Sequence, residues 1–177
     1  MVSATGQNVA PLGHFVCTTG QRVSAAGHCV CVAGHCDAVA GQFVSFGGQV
    51  VWLGGHLVSE AGQRVAAAGH CVCAGGQRVS VAGHCVCAGG HDVSDGGQLV
   101  CFTGQRVCDG GHLVSCGGHC VAAVNVGHCV GVGGHFVADS GHFVDDSGHL
   151  VCDGGQCVST GGQWVSPVGH CVSTTGH

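Results

Sequence analysis

The sequence is short of charge, and above all of positive charge. Its 177 residues contain no Lys and no Tyr, four basic and nine acidic residues, and a formal net charge of -5 with His neutral. The basic residues are four scattered arginines, Arg22, Arg64, Arg78 and Arg106. A nucleic-acid-binding surface needs clustered Lys and Arg to contact phosphates. The composition therefore argues against nucleic acid as a partner.

Long apolar runs are also missing. No stretch approaches the ~20 consecutive apolar residues of a membrane-spanning helix, so we expect no membrane span. The N-terminus shows no basic segment followed by an apolar one, and hence no visible signal peptide. Localisation stays open, since the mature form of a secreted protein also lacks a signal. The 16 cysteines suggest either disulfides in an oxidising compartment or a thiol or metal role in a reducing one.

The chain is rich in glycine, with 36 residues, and most of them are periodic. Glycine recurs every seven residues from Gly6 to Gly118 and, after a two-residue insertion near Asn125 and Val126, again from Gly127 onward. Each of these glycines is followed by His or Gln. The third residue after the glycine is Val, with Asp37 as the exception. The repeat is Gly-(His/Gln)-x-Val-x-x-small.

A seven-residue period is typical of coiled coils, but this repeat lacks their two apolar seam positions. Each interior glycine would also cost a helix about 1 kcal/mol relative to Ala. Collagen needs Gly at every third residue. A short strand, His/Gln-x-Val-x, followed by a tight turn fits instead, because Val favours pleated backbone and Gly supplies the positive φ of turns. We predict an all-β solenoid.

The position after His/Gln gives the size of one coil. It alternates between a mixed set that holds all four arginines and a wholly apolar set, and the arginines are separated by multiples of fourteen residues. Duplication of a fourteen-residue unit explains the alternation equally well, because 62–75 and 76–89 are near copies. Both explanations predict a flattened, two-sided β-solenoid of about 12 coils, roughly 55–60 Å long at ~4.8 Å per coil.

We predict a single domain, residues 1–177, with a repeat slip near 125–126 and a variant C-terminal section, 127–177.

Side chains alternate along a strand, so His/Gln and Val share one side and the two variable positions share the other. Arginine cannot lie unpaired in a thin interior. We therefore expect the valines to point inward and the variable positions outward. The His/Gln column would lie at the inner edge beside the turns, where stacked side chains hydrogen-bond. At Asp37, Val39 would replace the missing valine through a local bulge.

On this assignment the apolar set of alternate repeats forms an exposed strip, and such strips usually mark interaction surfaces. The predicted ice-binding or interaction face consists of Phe15, Cys17, Cys29, Cys31, Phe43, Ser45, Leu57, Ser59, Cys71, Cys73, Cys85, Cys87, Leu99, Cys101, Leu113 and Ser115.

Four cysteines of this strip, Cys71, Cys73, Cys85 and Cys87, fall in adjacent coils. Free thiols acting as small apolar side chains are one interpretation. Stacked disulfides, Cys71 with Cys85 and Cys73 with Cys87, are another, because a ~4.8 Å strand spacing suits disulfide geometry. A tetrahedral zinc site is a weak third. We expect no cofactor.

The architecture resembles that of tandem-repeat β-solenoid antifreeze proteins: short coils, few charges, many small residues and one flat, weakly polar face. The paired threonine columns usual in those proteins are absent. The resemblance implies ice, or ordered water, as the partner. One alternative is a structural protein that self-associates through the apolar strip or its open strand ends. A second alternative is a metal- or thiol-buffering protein. A uniform rod offers no concave catalytic site, so we expect no enzymatic activity.

Overall fold

The computed structural model describes residues 2–3, 6–122 and 126–175, and within them it contains strands and turns but no helix. The strands are β1 (Val2–Ser3), β2 (Gln7–Ala10), β3 (His14–Cys17), β4 (Gln21–Ser24), β5 (His28–Cys31), β6 (His35–Ala38), β7 (Gln42–Ser45), β8 (Gln49–Trp52), β9 (His56–Ser59), β10 (Gln63–Ala66), β11 (His70–Cys73), β12 (Gln77–Ser80), β13 (His84–Cys87), β14 (His91–Ser94), β15 (Gln98–Cys101), β16 (Gln105–Cys108), β17 (Gly111–Ser115), β18 (His119–Ala122), β19 (Val126–Gly131), β20 (His135–Ala138), β21 (His142–Asp145), β22 (His149–Cys152), β23 (Gln156–Ser159), β24 (Gln163–Val165) and β25 (His170–Ser173).

The strands form two parallel sheets that the chain visits alternately. The odd-numbered strands make a sheet of thirteen, here called sheet A, and the even-numbered strands make a sheet of twelve, sheet B. Except across the two-residue insertion, pairing joins each residue to the one fourteen positions later, as in His70↔His84 and Arg64↔Arg78. The predicted two-sided β-solenoid with fourteen residues per coil and about 12 coils is therefore confirmed.

Glycine is required at each corner because the corner backbones stack directly on one another. Gly20 has a φ of 117°, and a Cβ added there would lie 2.2 Å from the carbonyl oxygen of Gly6 in the coil below. That carbonyl accepts a 3.0 Å hydrogen bond from the Gln21 amide. The parallel ladder thus continues through the corner, and this close approach leaves no room for a side chain.

The two-residue insertion is absorbed where β19 pairs with β17. Gly111 lies opposite Val126 and His112 opposite His128, and the register shifts between Gly111 and His112. The regular pairing resumes with the following strands. Val126 is thus the first residue of a strand, while Asn125 lies outside the described residues.

The core is formed by the second and fourth residues of each four-residue strand, which are buried in almost every coil, whereas the first and third face solvent. This is opposite to the predicted arrangement, so the expectation of inward valines was wrong. The physical reason is volume. Trp52, Phe43 and Leu57 all occupy variable positions, and burying them removes more apolar area from water than burying the smaller valines would.

Candidate functional site

The predicted interaction face lies inside the molecule. Its members line the inner side of sheet A, and each is at most 9% exposed: Phe15, Cys17, Cys29, Cys31, Phe43, Ser45, Leu57, Ser59, Cys71, Cys73, Cys85, Cys87, Leu99, Cys101, Leu113 and Ser115. The structure brings these residues together in two columns, as the sequence indicates, but on the side of the sheet that packs against sheet B. They form core and do not meet an external partner.

The four arginines, expected in solvent, are buried as well. The guanidinium of Arg64 donates to Ser59 Oγ at 2.8 Å and to the Gly75 carbonyl oxygen at 2.6 Å. Arg106 donates to the Ser115 hydroxyl and to a corner carbonyl. A thin interior is expected to exclude unpaired arginine. That expectation was wrong for Arg64 and Arg106 because hydroxyls and turn carbonyls supply partners.

A sequence signal for this arrangement exists. The residue five positions before each arginine is small, namely Cys17, Ser59, Cys73 and Cys101. The fourth residue of one strand and the second residue of the next strand are five residues apart in the sequence. These two residues face each other across the core, as the hydrogen bond between Ser59 and Arg64 shows. A large side chain from one sheet therefore meets a small one from the other.

The surface that sheet A presents to solvent, here called face A, consists of two straight columns. One is an unbroken column of valine: Val16, Val30, Val44, Val58, Val72, Val86, Val100, Val114, Val130, Val144, Val158 and Val172. The other is His or Gln: His14, His28, Gln42, His56, His70, His84, Gln98, His112, His128, His142, Gln156 and His170. Typical members are about half exposed, such as Val58 at 48%. Neither column contains Asp, Glu, Lys or Arg.

Face B, the solvent side of sheet B, has the same two columns with one interruption. Asp37 occupies a valine position, lies in register with Val23 and Val51, and is exposed. The predicted bulge at Val39 does not form, because an outward-pointing carboxylate needs no apolar replacement. Val39 lies exposed in the adjoining turn.

The His/Gln column forms stacks, as expected, but on the outer surface rather than at the inner edge. The imidazoles of His56, His70 and His84 lie parallel with centroids 5.0 and 4.9 Å apart. On face B, the Gln49 amide donates to Gln63 Oε1 at 3.0 Å. Interplanar angles between stacked histidines lie between 2° and 16°. Successive coils are thus rotated little, and the outer columns run nearly straight.

Buried thiols dominate the interior. Cys71, Cys73, Cys85 and Cys87 occupy two adjacent strands of sheet A as free thiols. Cys71 and Cys73 lie 3.0 Å apart at sulfur. Of the interpretations considered from the sequence, free thiols are thus what the structure shows, and the alternative of stacked disulfides between these cysteines is not formed. A hydrogen bond between the Cys71 and Cys85 thiols lowers the pKa of Cys85 to about 7. Other core thiols shift in the opposite direction, as at Cys17, where burial raises the pKa to about 11.

A buried ion pair adjoins these thiols. Arg78 donates to Cys87 Sγ at 2.9 Å, and its Nε lies 3.8 Å from Asp92 Oδ1. Burial raises the pKa of Asp92, and Arg78 counteracts that rise. Asp145 has no such cationic partner, and neither carboxylate oxygen accepts a hydrogen bond of normal geometry. Burial raises the pKa of Asp145, with only partial compensation from the nearby amides of Ser147 and Asp146.

One disulfide joins the two sheets, between Cys152 of β22 and Cys157 of β23. These cysteines are five residues apart, the same relation that places Ser59 against Arg64. The stacked disulfides considered from the sequence join coils within one sheet and do not include this pair. The five-residue separation across the core would have indicated it.

No protein-family model, curated protein or solved structure matches this chain. In the part of the chain that the structure describes, no helix has the length and apolar character needed to cross a bilayer. Function is therefore inferred from the geometry of the two outer faces and of the thiol-rich interior.

Proposed function

We propose that the protein binds ice, and that face A is the surface that contacts it. The observation that supports this proposal is the uniformity of the outer columns. The interior of sheet A varies among Cys, Phe, Leu, Ser, Gly and Asp, whereas its exterior repeats Val and His or Gln over twelve coils. Core packing does not require a uniform exterior, so a periodic ligand is the explanation we favour.

The spacing of face A suits a crystalline partner. Outward side chains recur at ~4.8 Å between coils and at ~6.6 Å along each strand, from twice the rise per residue. Each coil presents valine methyls beside a polar imidazole or amide. Such contacts are individually weak, so binding requires many of them in register. A rigid array loses little conformational freedom when it binds.

Low charge supports the same proposal. Only 7% of the chain is charged, and the outer columns of face A contain no formally charged residue with His neutral. Ionic groups hold liquid water strongly and would disturb an ordered layer. Face B is less suitable, because Asp37 interrupts its valine column. The proposed ice-binding surface thus belongs to the same sheet as the face predicted from the sequence. It consists of the outward-pointing side chains of that sheet instead of the inward-pointing ones.

A pair of substitutions tests which face binds. Val72 on face A and Val79 on face B are 49% and 48% exposed, so Val72→Lys and Val79→Lys add the same charge at matched positions. We expect the wild-type protein to show thermal hysteresis and ice shaping, V72K to lose most of both, and V79K to retain them. The absence of hysteresis in the wild type at high concentration, or its full retention in V72K, would rule out the proposal.

Self-association is a second candidate, favoured by the exposure of valine columns on both faces. Extended apolar surface usually marks a protein contact, and the open strand edges at the solenoid ends also invite pairing. Light scattering over a wide concentration range tests it. Growth of the average mass with concentration is expected if the faces or ends associate, and a monomer at every concentration contradicts this candidate.

A further inference from the structure

Three cysteines converge near the N-terminal end of the core. Cys17 of β3 and Cys31 of β5 are stacked in sheet A, in register, and Cys36 of β6 faces them from sheet B. The Cys17 and Cys31 sulfurs are 2.7 Å apart, and those of Cys36 and Cys31 are 2.8 Å apart. All three sulfurs lie within 4.8 Å of one another. Each side chain is at most 9% exposed.

The donor set selects a particular class of metal. Thiolates are soft ligands that favour Cu(I) and Zn(II) over hard ions such as Mg²⁺ or Ca²⁺. A metal held by three sulfurs at ~2.3 Å separates them by about 4 Å, which small side-chain rotations provide here by widening the two short contacts. Structural zinc prefers four ligands. Three donors therefore fit Cu(I), which accepts three thiolates, better than zinc.

A buried arginine beside the cluster supplies an independent observation. Arg22 is 4% exposed, its guanidinium lies 4.2 Å from the centre of the Phe15 ring, and its Nε and Nη2 atoms have no hydrogen-bond partner. Arg78 and Arg106 also have unpartnered Nε and Nη2 atoms, whereas Arg64 donates to a hydroxyl and a carbonyl of the protein. A buried cation is stabilised by a nearby anion. A metal bound to three thiolates has a net negative charge and lies next to this arginine.

We propose that Cys17, Cys31 and Cys36 bind a thiophilic d¹⁰ metal ion, Cu(I) foremost, with Arg22 as the positive group that stabilises the anionic complex. On binding, the three thiols release their protons to solvent and three sulfur–metal bonds form, and no electron is transferred. The ion would link sheet A to sheet B in the second and third coils. This site is independent of ice binding at face A.

Titration of the full chain, as purified and under argon, tests the proposal with Cu(I) and Zn(II) in separate arms. The variants are Cys36→Ala and Cys17→Ala, and the control is Cys116→Ser, which removes an exposed thiol outside the cluster. We expect C36A and C17A each to bind one equivalent of Cu(I) less than the wild type and C116S to bind the wild-type amount. Zn(II) stoichiometry should change less than that of Cu(I).

A second readout separates loss of the site from loss of the fold. Hydrogen exchange of the β3–β6 amides should slow on Cu(I) addition in the wild type and in C116S, but not in C36A or C17A. Circular dichroism of each variant verifies that the strands persist. Unchanged Cu(I) stoichiometry in both cluster variants would overturn the proposal. So would a thiol count and peptide map showing Cys31 bonded to Cys36 in the native protein.

Discussion

In this solenoid the outer sides of the two sheets are more uniform in residue type than the inner sides, which is the reverse of an ordinary domain. The inner columns are chemically mixed, with Trp52, Arg78, Cys87 and Ser115 all buried. The outer columns are almost constant, with Val and His or Gln in coil after coil. Cores usually restrict composition more than surfaces do. Here the interior tolerates variety because most large side chains face a small one, and the uniformity outside calls for a functional explanation.

The largest predicted effect concerns the corner glycines, which determine where one sheet ends and the other begins. A Cβ on Gly76 would lie 2.2 Å from the Gly62 carbonyl oxygen, and its φ is 101°, whereas a Cβ on the preceding Gly75 would meet nothing within 4 Å. We expect Gly76→Ala to lower the free energy of unfolding by about 3–5 kcal/mol. Gly75→Ala should change it by less than about 1 kcal/mol. Urea denaturation followed by circular dichroism measures both, and similar losses would contradict the stacked-corner argument.

The inside and outside of one strand can be compared directly at neighbouring residues of β9. Leu57 is 1% exposed and Val58 is 48% exposed. Leu57→Ala should cost about 3 kcal/mol of unfolding free energy, since it leaves a cavity. Val58→Ala should cost at most about 1 kcal/mol, mainly through lost β-propensity. The same urea titration provides the test. A larger cost at Val58 would mean that the valine column is core, as the sequence argument held.

A smaller, pH-dependent effect is expected at the buried Asp145. Because burial raises its pKa in the folded state, the neutral form is favoured by folding. The stability that the neutral Asp145 carboxyl contributes is therefore fully present below the ordinary pKa of Asp. It is lost as the pH rises through the raised pKa of the folded state. Asp145→Asn should stabilise the protein by about 1–2 kcal/mol at pH 7, and the gain should disappear in acid. Thermal unfolding at several pH values measures it. Asp153→Asn, at an exposed position, is the control, and an equal gain there would refute the argument from burial.

The smallest effect is expected in the outer ladder. Gln63 accepts a 3.0 Å hydrogen bond from Gln49 and donates one of 3.4 Å to Gln77. Both bonds are exposed to solvent, so Gln63→Ala should lower the free energy of unfolding by only about 0.5 kcal/mol. A cost above about 2 kcal/mol in the same urea assay would show that the ladder contributes to stability as much as the core does. The uniformity of the outer columns would then need no functional explanation.

Much of the architecture could be predicted from local chemistry. Glycine at every seventh position fixes the corners, because a positive φ and stacked corner backbones exclude other residues. The separations of Arg22, Arg64, Arg78 and Arg106 fix the coil at fourteen residues, because a side chain must fit its neighbours in the adjacent coils. The stacking of His and Gln follows from that length. All of these properties depend on the spacing of residues along the chain.

Only the tertiary structure decided which side of each strand faces the core. Alternation divides a strand into two sides but is symmetric between them, so the choice depends on how well the side chains fill the space between the sheets. That fit involves residues from different strands, such as Arg64 with Ser59 and Gly75, whose partnership no single repeat reveals. The interior therefore holds the four arginines and most of the cysteines and aromatic residues, and the valine and His/Gln columns meet the solvent.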